Sequence, residues 1–471
     1  ILVWWRYSLD TPFFALSADD LQRTLHAWEV TQGQIIPSDL WPPLQFWLEA
    51  IVLTVYPNLL VAPLIVNVTA STGTLICLLL LGHTIGLHSS TLFVQFLLIV
   101  SLPWYLWLSL SGLAEPIFFF CITLAYLGIA QWLIRDRQWG VWIAAISLLA
   151  AGMIRFDSWG YSAVFSVALC WYWWRAPRPQ PYTWLIAAGV PWIFPAFWMG
   201  YHYTKYGDPF YFSAIVRDYI LSTQEIAPLT SRLLLQPQDL WAVAGVTLHI
   251  GLIGLWFLRH KKSVILLTLM ALGAFAMLMI STLTHATASH NTARLIVIYA
   301  LFLTPFAACT LHRLGMHNRL YASLVVGLLL VIVVPRLMQV PNYPNGIPND
   351  TAEVSKHIAM LKATNQIQSD NYIMVEVVFW DYIMLRTLTN TPDNIIFDRE
   401  PDLVVTPDRR YTLDDVANPS LLHTPAPQLY DQLKQQDVHV VVAYSETAVS
   451  HLESIAQKTF QNGRFSVFLV E

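Results

Sequence analysis

Apolar residues fill long blocks over the first two thirds of the chain. They lie at about 59–82, 91–108, 116–134, 139–154, 158–174, 182–203, 241–258, 263–283, 295–311 and 320–338. Blocks of this length suit helices that cross a bilayer, which takes about 20 residues each. The stub Ile1–Leu9 is apolar but too short to span and reads as the remainder of a truncated first helix. With it, the pattern predicts about eleven membrane helices. Residues 43–57 (PLQFWLEAIVLTVYP) are also apolar, yet they hold Glu49 and are bounded by Pro43 and Pro57.

Basic residues in the short loops set sidedness. Arg135 and Arg137, Arg175 and Arg178, Arg259 with Lys261 and Lys262, and Arg313 with Arg319 fall at alternate loops. That is the arrangement expected if all of them face the cytoplasm. Counting 43–57 as a span would break this parity, so it is read as an amphipathic helix lying in the interface. The opposite face then carries the first outer loop at 10–58, the loops at 109–115, 204–240 and 284–294, the turn at 155–157, and everything after 340.

Beyond 340 the pattern changes. PNYPNGIPND at 341–350 reads as a linker. Thr351–Gln368 has helical spacing; Asn371–Phe379, Ile395–Phe397, Asp437–Ala443 and Phe465–Val470 read as strands; Pro427–Gln436 and Ser445–Phe460 read as helices. The alternation predicts a small α/β domain, Rossmann-like in its sheet. It lacks a Gly-rich phosphate loop, which leaves docking or a lid as its expected role.

Composition agrees with this division. Only 12% of the 471 residues are charged and 56% are apolar, against about 25% charged in soluble proteins. An ordinary soluble enzyme, a disordered chain and a nucleic-acid binder with a basic face are excluded. Residues 1–340 carry 17 Lys/Arg and 13 Asp/Glu, whereas residues 341–471 carry 9 and 17. Cys77, Cys121, Cys170 and Cys309 all lie in apolar runs, without metal-ligand spacing, and read as small hydrophobes. Of the acids before 341, only Asp136 falls on the cytoplasmic side. An outer mouth this rich in carboxylates is not required by topology and points to chemistry.

Several groups there stand out. Asp19-Asp20 opens a helix in the first outer loop; carboxylates at that place also suit the helix dipole. Glu115 precedes Pro116 at the mouth of a strongly apolar helix, where a carboxylate is costly unless solvated, paired or liganded. Arg155-Phe156-Asp157 interrupts two apolar helices at their outer turn, as a local ion pair or a functional one. Arg294, with His290 nearby, starts the next helix, where a cation opposes the dipole and a neighbouring anion would explain it. Lys205 and Tyr206 lead into Gly207-Asp208-Pro209, a turn sequence that opens the longest outer loop. Such a set suits transfer from a phosphorylated lipid. A carboxylate can deprotonate a hydroxyl, and cations can stabilise a departing phosphate.

In order and sidedness these groups resemble the C-type (GT-C) integral membrane glycosyltransferase superfamily. The nearest branch is that of protein O-mannosyltransferases, lipid A aminoarabinose transferases and their bacterial relatives. Asp19-Asp20 resembles the family's first-loop acidic motif, which implies a catalytic base. Trp41-Pro42-Pro43-Leu44 is similar to its His-Pro-Pro-Leu motif, with Trp41 where relatives have a basic residue. Glu115-Pro116 resembles the second acidic motif. Arg155-Phe156-Asp157-Ser158-Trp159 resembles Arg-Tyr-Glu-Gly-Trp, and Tyr206 through Phe210 a Gly-Asp-Pro loop. His290 to Arg294 stands where relatives place basic residues near the lipid phosphate.

The resemblance implies an all-α polytopic membrane domain over 1–340 and an extracytoplasmic α/β domain over 341–471. The implied activity is inverting transfer of one sugar from a polyprenyl-phosphate donor, outside a bacterial cytoplasmic membrane. The acceptor could be protein, lipid or glycan, and the donor's tail would lie in membrane lipid. Asp19, Asp20 and Glu115 are the expected catalytic residues. Arg155, Lys205, His290, Arg294, Trp41 and Tyr206 are the expected substrate and phosphate contacts. Asp19 and Glu115 could instead hold a divalent cation, Mg²⁺ or Mn²⁺. The rival class is a transporter or lipid flippase, which would place polar groups near the midplane, often with internal repeats.

Overall fold

The computed structural model describes residues 18–175, 182–223, 227–286, 292–314, 327, 331, 349–368, 370–376, 381–399 and 419–470. The stub Ile1–Leu9, His290, most of the run at 320–338 and the linker at 341–348 lie outside the described residues. By contacts the chain forms two compact units. One comprises residues 35–48 and 64–341; the other comprises 1–34, 49–63 and 342–471.

The larger unit is helical and multi-pass. In chain order the helices are α1 (Ala18–Thr31, in the smaller unit), α2 (Leu44–Val55, which crosses the unit boundary), α3 (Ala62–Ile85), α4 (Ser89–Val100), α5 (Pro103–Ser109) and α6 (Glu115–Arg135). There follow α7 (Trp139–Gly152), α8 (Ser158–Arg175), α9 (Thr183–Gly189) and α10 (Ile193–Tyr206). The last are α11 (Tyr211–Thr223), α12 (Leu229–Ala244), α13 (Val246–Leu258), α14 (Lys262–Leu283) and α15 (Ala293–Arg313). Every apolar run up to 311 is thus occupied by helix.

Among the described residues, five helices are long and apolar enough to cross a membrane, or up to seven if each bent pair is one span. The hydropathy pattern predicts about eleven; two of these, the stub and the run at 320–338, fall wholly or mostly outside the described residues, and the others that fall short have physical causes. Helix α7 has 14 residues and reaches only about 21 Å. Helix α8 ends in Trp and Tyr, which lower its apolar character. The run at 91–108 is broken before Pro103 with a bend of 72°, and the run at 241–258 contains a 97° bend at Gly245. Helix α2 has 12 residues, too few to span, as expected of an interfacial segment.

Helices α6 and α7 form the hairpin that carries Glu115 and leads into Arg155. They cross at Gly128 and Gly140: a Cβ on Gly140 would stand 2.3 Å from the Gly128 carbonyl oxygen. Contact this close is possible only without side chains.

The smaller unit contains the C-terminal α/β fold: α16 (Asn349–Ala363), β1 (Tyr372–Val375), α17 (Asp381–Leu388), β2 (Ile395–Phe397), α18 (Ala426–Gln435), β3 (Val438–Ala443), α19 (Glu446–Glu453), β4 (Gln457–Gln461) and β5 (Ser466–Leu469). The sheet order is β2-β1-β3-β5-β4. The first three strands are parallel, and β5 and β4 add antiparallel. Ile373, Val375, Val440 and Val442 face one apolar layer with Val354 and Ile358 of α16. Met374, Val441 and Phe468 face the other, with Leu429 and Leu433 of α18.

Two expectations change here. Residues 445–460 do not form one helix: α19 stops at Glu453, and Gln457–Gln461 pairs with β5. The gain from covering a sheet edge outweighs a local helical reading. The part after 341 does not pack by itself: residues 1–34 and 49–63 belong to the same unit. Helix α1 buries Leu21 and Leu25 in the same unit as α17, and Trp28 Nε1 donates to Asp393 at 3.1 Å. Asn390, in left-handed conformation, accepts from the Leu59 amide at 2.8 Å and donates to the Pro57 carbonyl.

Replacing Gly140 by Val should force α6 and α7 apart. We expect a loss of at least about 1–3 kcal/mol, typical of overpacking, seen as a lower Tm of the detergent-solubilised protein. An unchanged Tm would contradict the close crossing.

Candidate active site

The outer turn between α7 and α8 places Arg155 between two carboxylates. Its NH1 group donates to Glu115 Oε1 at 2.8 Å. Its Nε and NH2 groups both donate to Asp157 Oδ2, at 3.0 and 2.6 Å. Arg294 Nε approaches the same Glu115 oxygen at 3.4 Å. The Glu115 side chain is 3% exposed, and both arginines are 15% exposed. The planar guanidinium of arginine suits this forked contact, whereas lysine offers one point charge. Burial works against the charge on Arg155, but Asp157 and Glu115 more than restore it, so its pKa rises. The anion that the position of Arg294 called for is Glu115.

Local sequence explains the placement. Pro116 starts α6 without needing an amide donor, and Glu115 sits in its first turn, where the dipole favours an anion. The loop before it is clamped by two buried amides. Asn67 of α3 donates to the Ser111 and Leu113 carbonyls at 2.6 and 2.8 Å. Gln45 of α2 donates to the Gly112 carbonyl at 2.7 Å. The Leu44 amide bonds the Met153 carbonyl at 3.0 Å, tying the Trp41-Pro42-Pro43-Leu44 segment to the turn before Arg155.

A second cluster surrounds Asp39. Lys205 Nζ donates to its two oxygens at 2.9 and 2.8 Å, Tyr201 donates at 2.9 Å, and Tyr206 also donates. Burial alone would raise the Asp39 pKa, but hydrogen bonds from Lys205, Tyr206 and Tyr201 outweigh it and hold the carboxyl below its ordinary value. Aromatic packing links the two clusters. Phe156 stacks on Phe212 at 4.3 Å, Phe212 packs against His202 at 5.4 Å, and His202 stacks on Tyr206 at 5.9 Å.

The expected residues therefore fall into groups. Glu115, Arg155 and Arg294 come together in the larger unit. Lys205 and Tyr206 gather on Asp39 instead. The Trp41 amide bonds the Ser38 hydroxyl at 3.1 Å. Asp19 and Asp20 occupy the first turn of α1 in the smaller unit, Asp20 fully buried and Asp19 partly. His290 lies outside the described residues. Asn67, Gln45 and the organising role of Asp39 were not anticipated. A lone amide within an apolar run, as at Asn67, is the signal that could have marked one of them.

The arrangement does not favour a resident metal at Glu115. Its inner oxygen already faces two guanidiniums, which a divalent cation would have to displace. Among the described residues no group of three or more His, Cys, Asp or Glu could hold one.

No protein-family model and no curated protein sequence matches the chain. Solved structures do. ArnT from Cupriavidus metallidurans in the apo state aligns with a TM-score of 0.57 at 11% identity, over 99% of this chain and 97% of that one. The same protein bound to undecaprenyl phosphate aligns with a TM-score of 0.58 at 10% identity, over 96% and 92%. The chain shares the fold of these ArnT structures. At this identity the likeness concerns the fold, and chemistry has to be argued from the residues.

Two predictions follow from the clusters. Arg155→Ala removes the guanidinium shared by Asp157 and Glu115, leaving Glu115 to Arg294 alone, and should cost about 3–5 kcal/mol, with Arg155→Lys intermediate. Thermal unfolding in detergent measures both, and equal Tm values for the three proteins would refute the network. A carboxyl whose pKa is depressed on folding stabilises above its unfolded value and loses that contribution as pH falls through the folded one. Acidification below the ordinary Asp value of 3.8 should therefore loosen the Asp39 cluster. Asp39→Asn should remove this acid transition in tyrosine and tryptophan fluorescence.

Proposed function

We propose that the protein transfers a sugar from a polyprenyl-phosphate-linked donor to an acceptor, at the outer face of a bacterial cytoplasmic membrane. The observation that carries this reading is the pair of buried guanidiniums, Arg155 and Arg294, converging on Glu115 in a GT-C-like fold. Two arginines at the mouths of apolar helices suit a phosphate that enters from lipid. The ArnT structure with undecaprenyl phosphate supports the same donor class. Packing of α1 with the C-terminal α/β fold in one unit supports a common side for both.

In this reading the acceptor hydroxyl oxygen attacks the anomeric carbon as the bond from that carbon to the phosphate oxygen breaks. The bonding pair leaves with polyprenyl phosphate, the hydroxyl proton passes to a carboxylate, and configuration inverts. Arg155 and Arg294 stabilise the charge that grows on the phosphate. Glu115 holds both cations in place before the donor binds. The base is Asp19 or Asp20 on the strength of the family resemblance, and the partial exposure of Asp19 supports it over Asp20. No step needs a divalent cation.

The test is transfer of labelled sugar from a polyprenyl-phosphate donor by purified protein in lipid. Asp19→Asn and Arg294→Ala should each reduce turnover at least about 100-fold, the lower range for loss of a general base or a charge-stabilising donor. Chelation should leave the rate unchanged. Full activity in both variants would refute the assignment. Movement of the lipid between leaflets without transfer would favour the flippase class.

A further inference from the structure

A groove of about 880 Å³ lies among α8, α9 and α14. Its walls are apolar. Val164 and Val167 of α8 face it with Ile265 and Leu269 of α14, and Trp184 of α9 closes one side. Val167 is 71% exposed and Leu269 is 50% exposed, so both surfaces wait for a hydrophobic neighbour. At one end the lining carries two cations, Arg175 and Lys262, the last residue of α8 and the first of α14.

The groove has a structural origin. Nearer their other ends α8 and α14 touch closely: a Cβ on Gly160 would stand 2.7 Å from Ala274 Cα, and one on Gly273 would stand 2.5 Å from Val164. Beyond that crossing, toward the basic ends, space opens between the helices. Along α8 the lining runs from Ala163 to Arg175, about 18 Å at the helical rise of 1.5 Å per residue. One leaflet of the hydrocarbon core is about 15 Å deep. The groove therefore has the depth of a single leaflet, with cations where the headgroups begin. Arg175 is held at this level by stacking over Trp171 at 4.7 Å and Trp174 at 5.3 Å.

We infer that this groove is a binding site for an anionic glycerophospholipid of the leaflet facing the basic loops. One acyl chain lies along Val164, Val167 and Leu269, and the phosphate sits between Arg175 and Lys262. Charge complementarity selects an anionic headgroup over a zwitterionic one. A sugar donor is not the occupant. Helix α8 has 18 residues, so a phosphate at Arg175 is roughly 26 Å along its axis from the Arg155 turn.

The inference is independent of sugar transfer, because it is read without donor. The purified chain is placed in nanodiscs of mixed phosphatidylglycerol and phosphatidylcholine, and retained lipid is counted by native mass spectrometry. Phosphatidylglycerol should be retained preferentially. The double variant Arg175→Ala/Lys262→Ala should weaken that retention about thirtyfold, corresponding to roughly 1 kcal/mol per basic side chain near an anionic surface. Ala168→Phe, which fills the groove but keeps both cations, should also abolish it and decides the matter if the double variant fails to fold. Equal retention of the two lipids, phosphatidylglycerol retention unaffected by Ala168→Phe, or displacement by polyprenyl phosphate would overturn the assignment.

Discussion

The larger unit is organised around one constraint: a carboxylate at the mouth of a membrane helix must be paired. Glu115 is almost completely buried at the start of α6, and taking such a group out of water costs several kcal/mol unless cations and donors replace the solvent. Arg155 and Arg294 do so from two other elements. Asp157 then balances Arg155, so two acids and two bases from three places in the chain form one nearly neutral network. The loop at 111–114 is clamped by Asn67 and Gln45, which fixes where Glu115 stands. Breaking any of these contacts leaves a buried charge or carbonyl behind.

The same turn serves two purposes. Arg155 and Asp157 point into the ionic network, while Phe156 between them packs into the aromatic cluster of Phe194, Trp198 and Phe212. That cluster continues through His202 to Tyr206 and the Asp39–Lys205 pair. A short polar-aromatic-polar sequence thus joins two charged clusters through an apolar bridge.

Packing of α1 with the C-terminal α/β fold gives the first outer loop a partner nearly the whole chain length away. An isolated helix of 14 residues is marginal in water, and the burial of Leu21 and Leu25 supplies what it lacks alone. This unit holds the acidic pair Asp19-Asp20. A domain without a phosphate loop can therefore matter by supporting the segment that carries this acidic pair.

The sequence by itself determined the solvent and the order of elements. Apolar runs long enough to span are read directly, because lipid demands them, and each run from 59 to 311 is helical, whole or bent. The prominence of Glu115, Arg155 and Arg294 was also legible, because a charge at the edge of an apolar run needs a reason. Tertiary structure decided what depends on distant partners. Pro103 and Gly245 bend two expected spans, strand pairing with β5 converts the end of an expected helix into β4, and Lys205 turns to Asp39. Which cation meets which carboxylate cannot be read from spacing, because the partners come from helices far apart in sequence. Hydropathy records the medium each residue prefers; pairing follows only when folding brings those helices together.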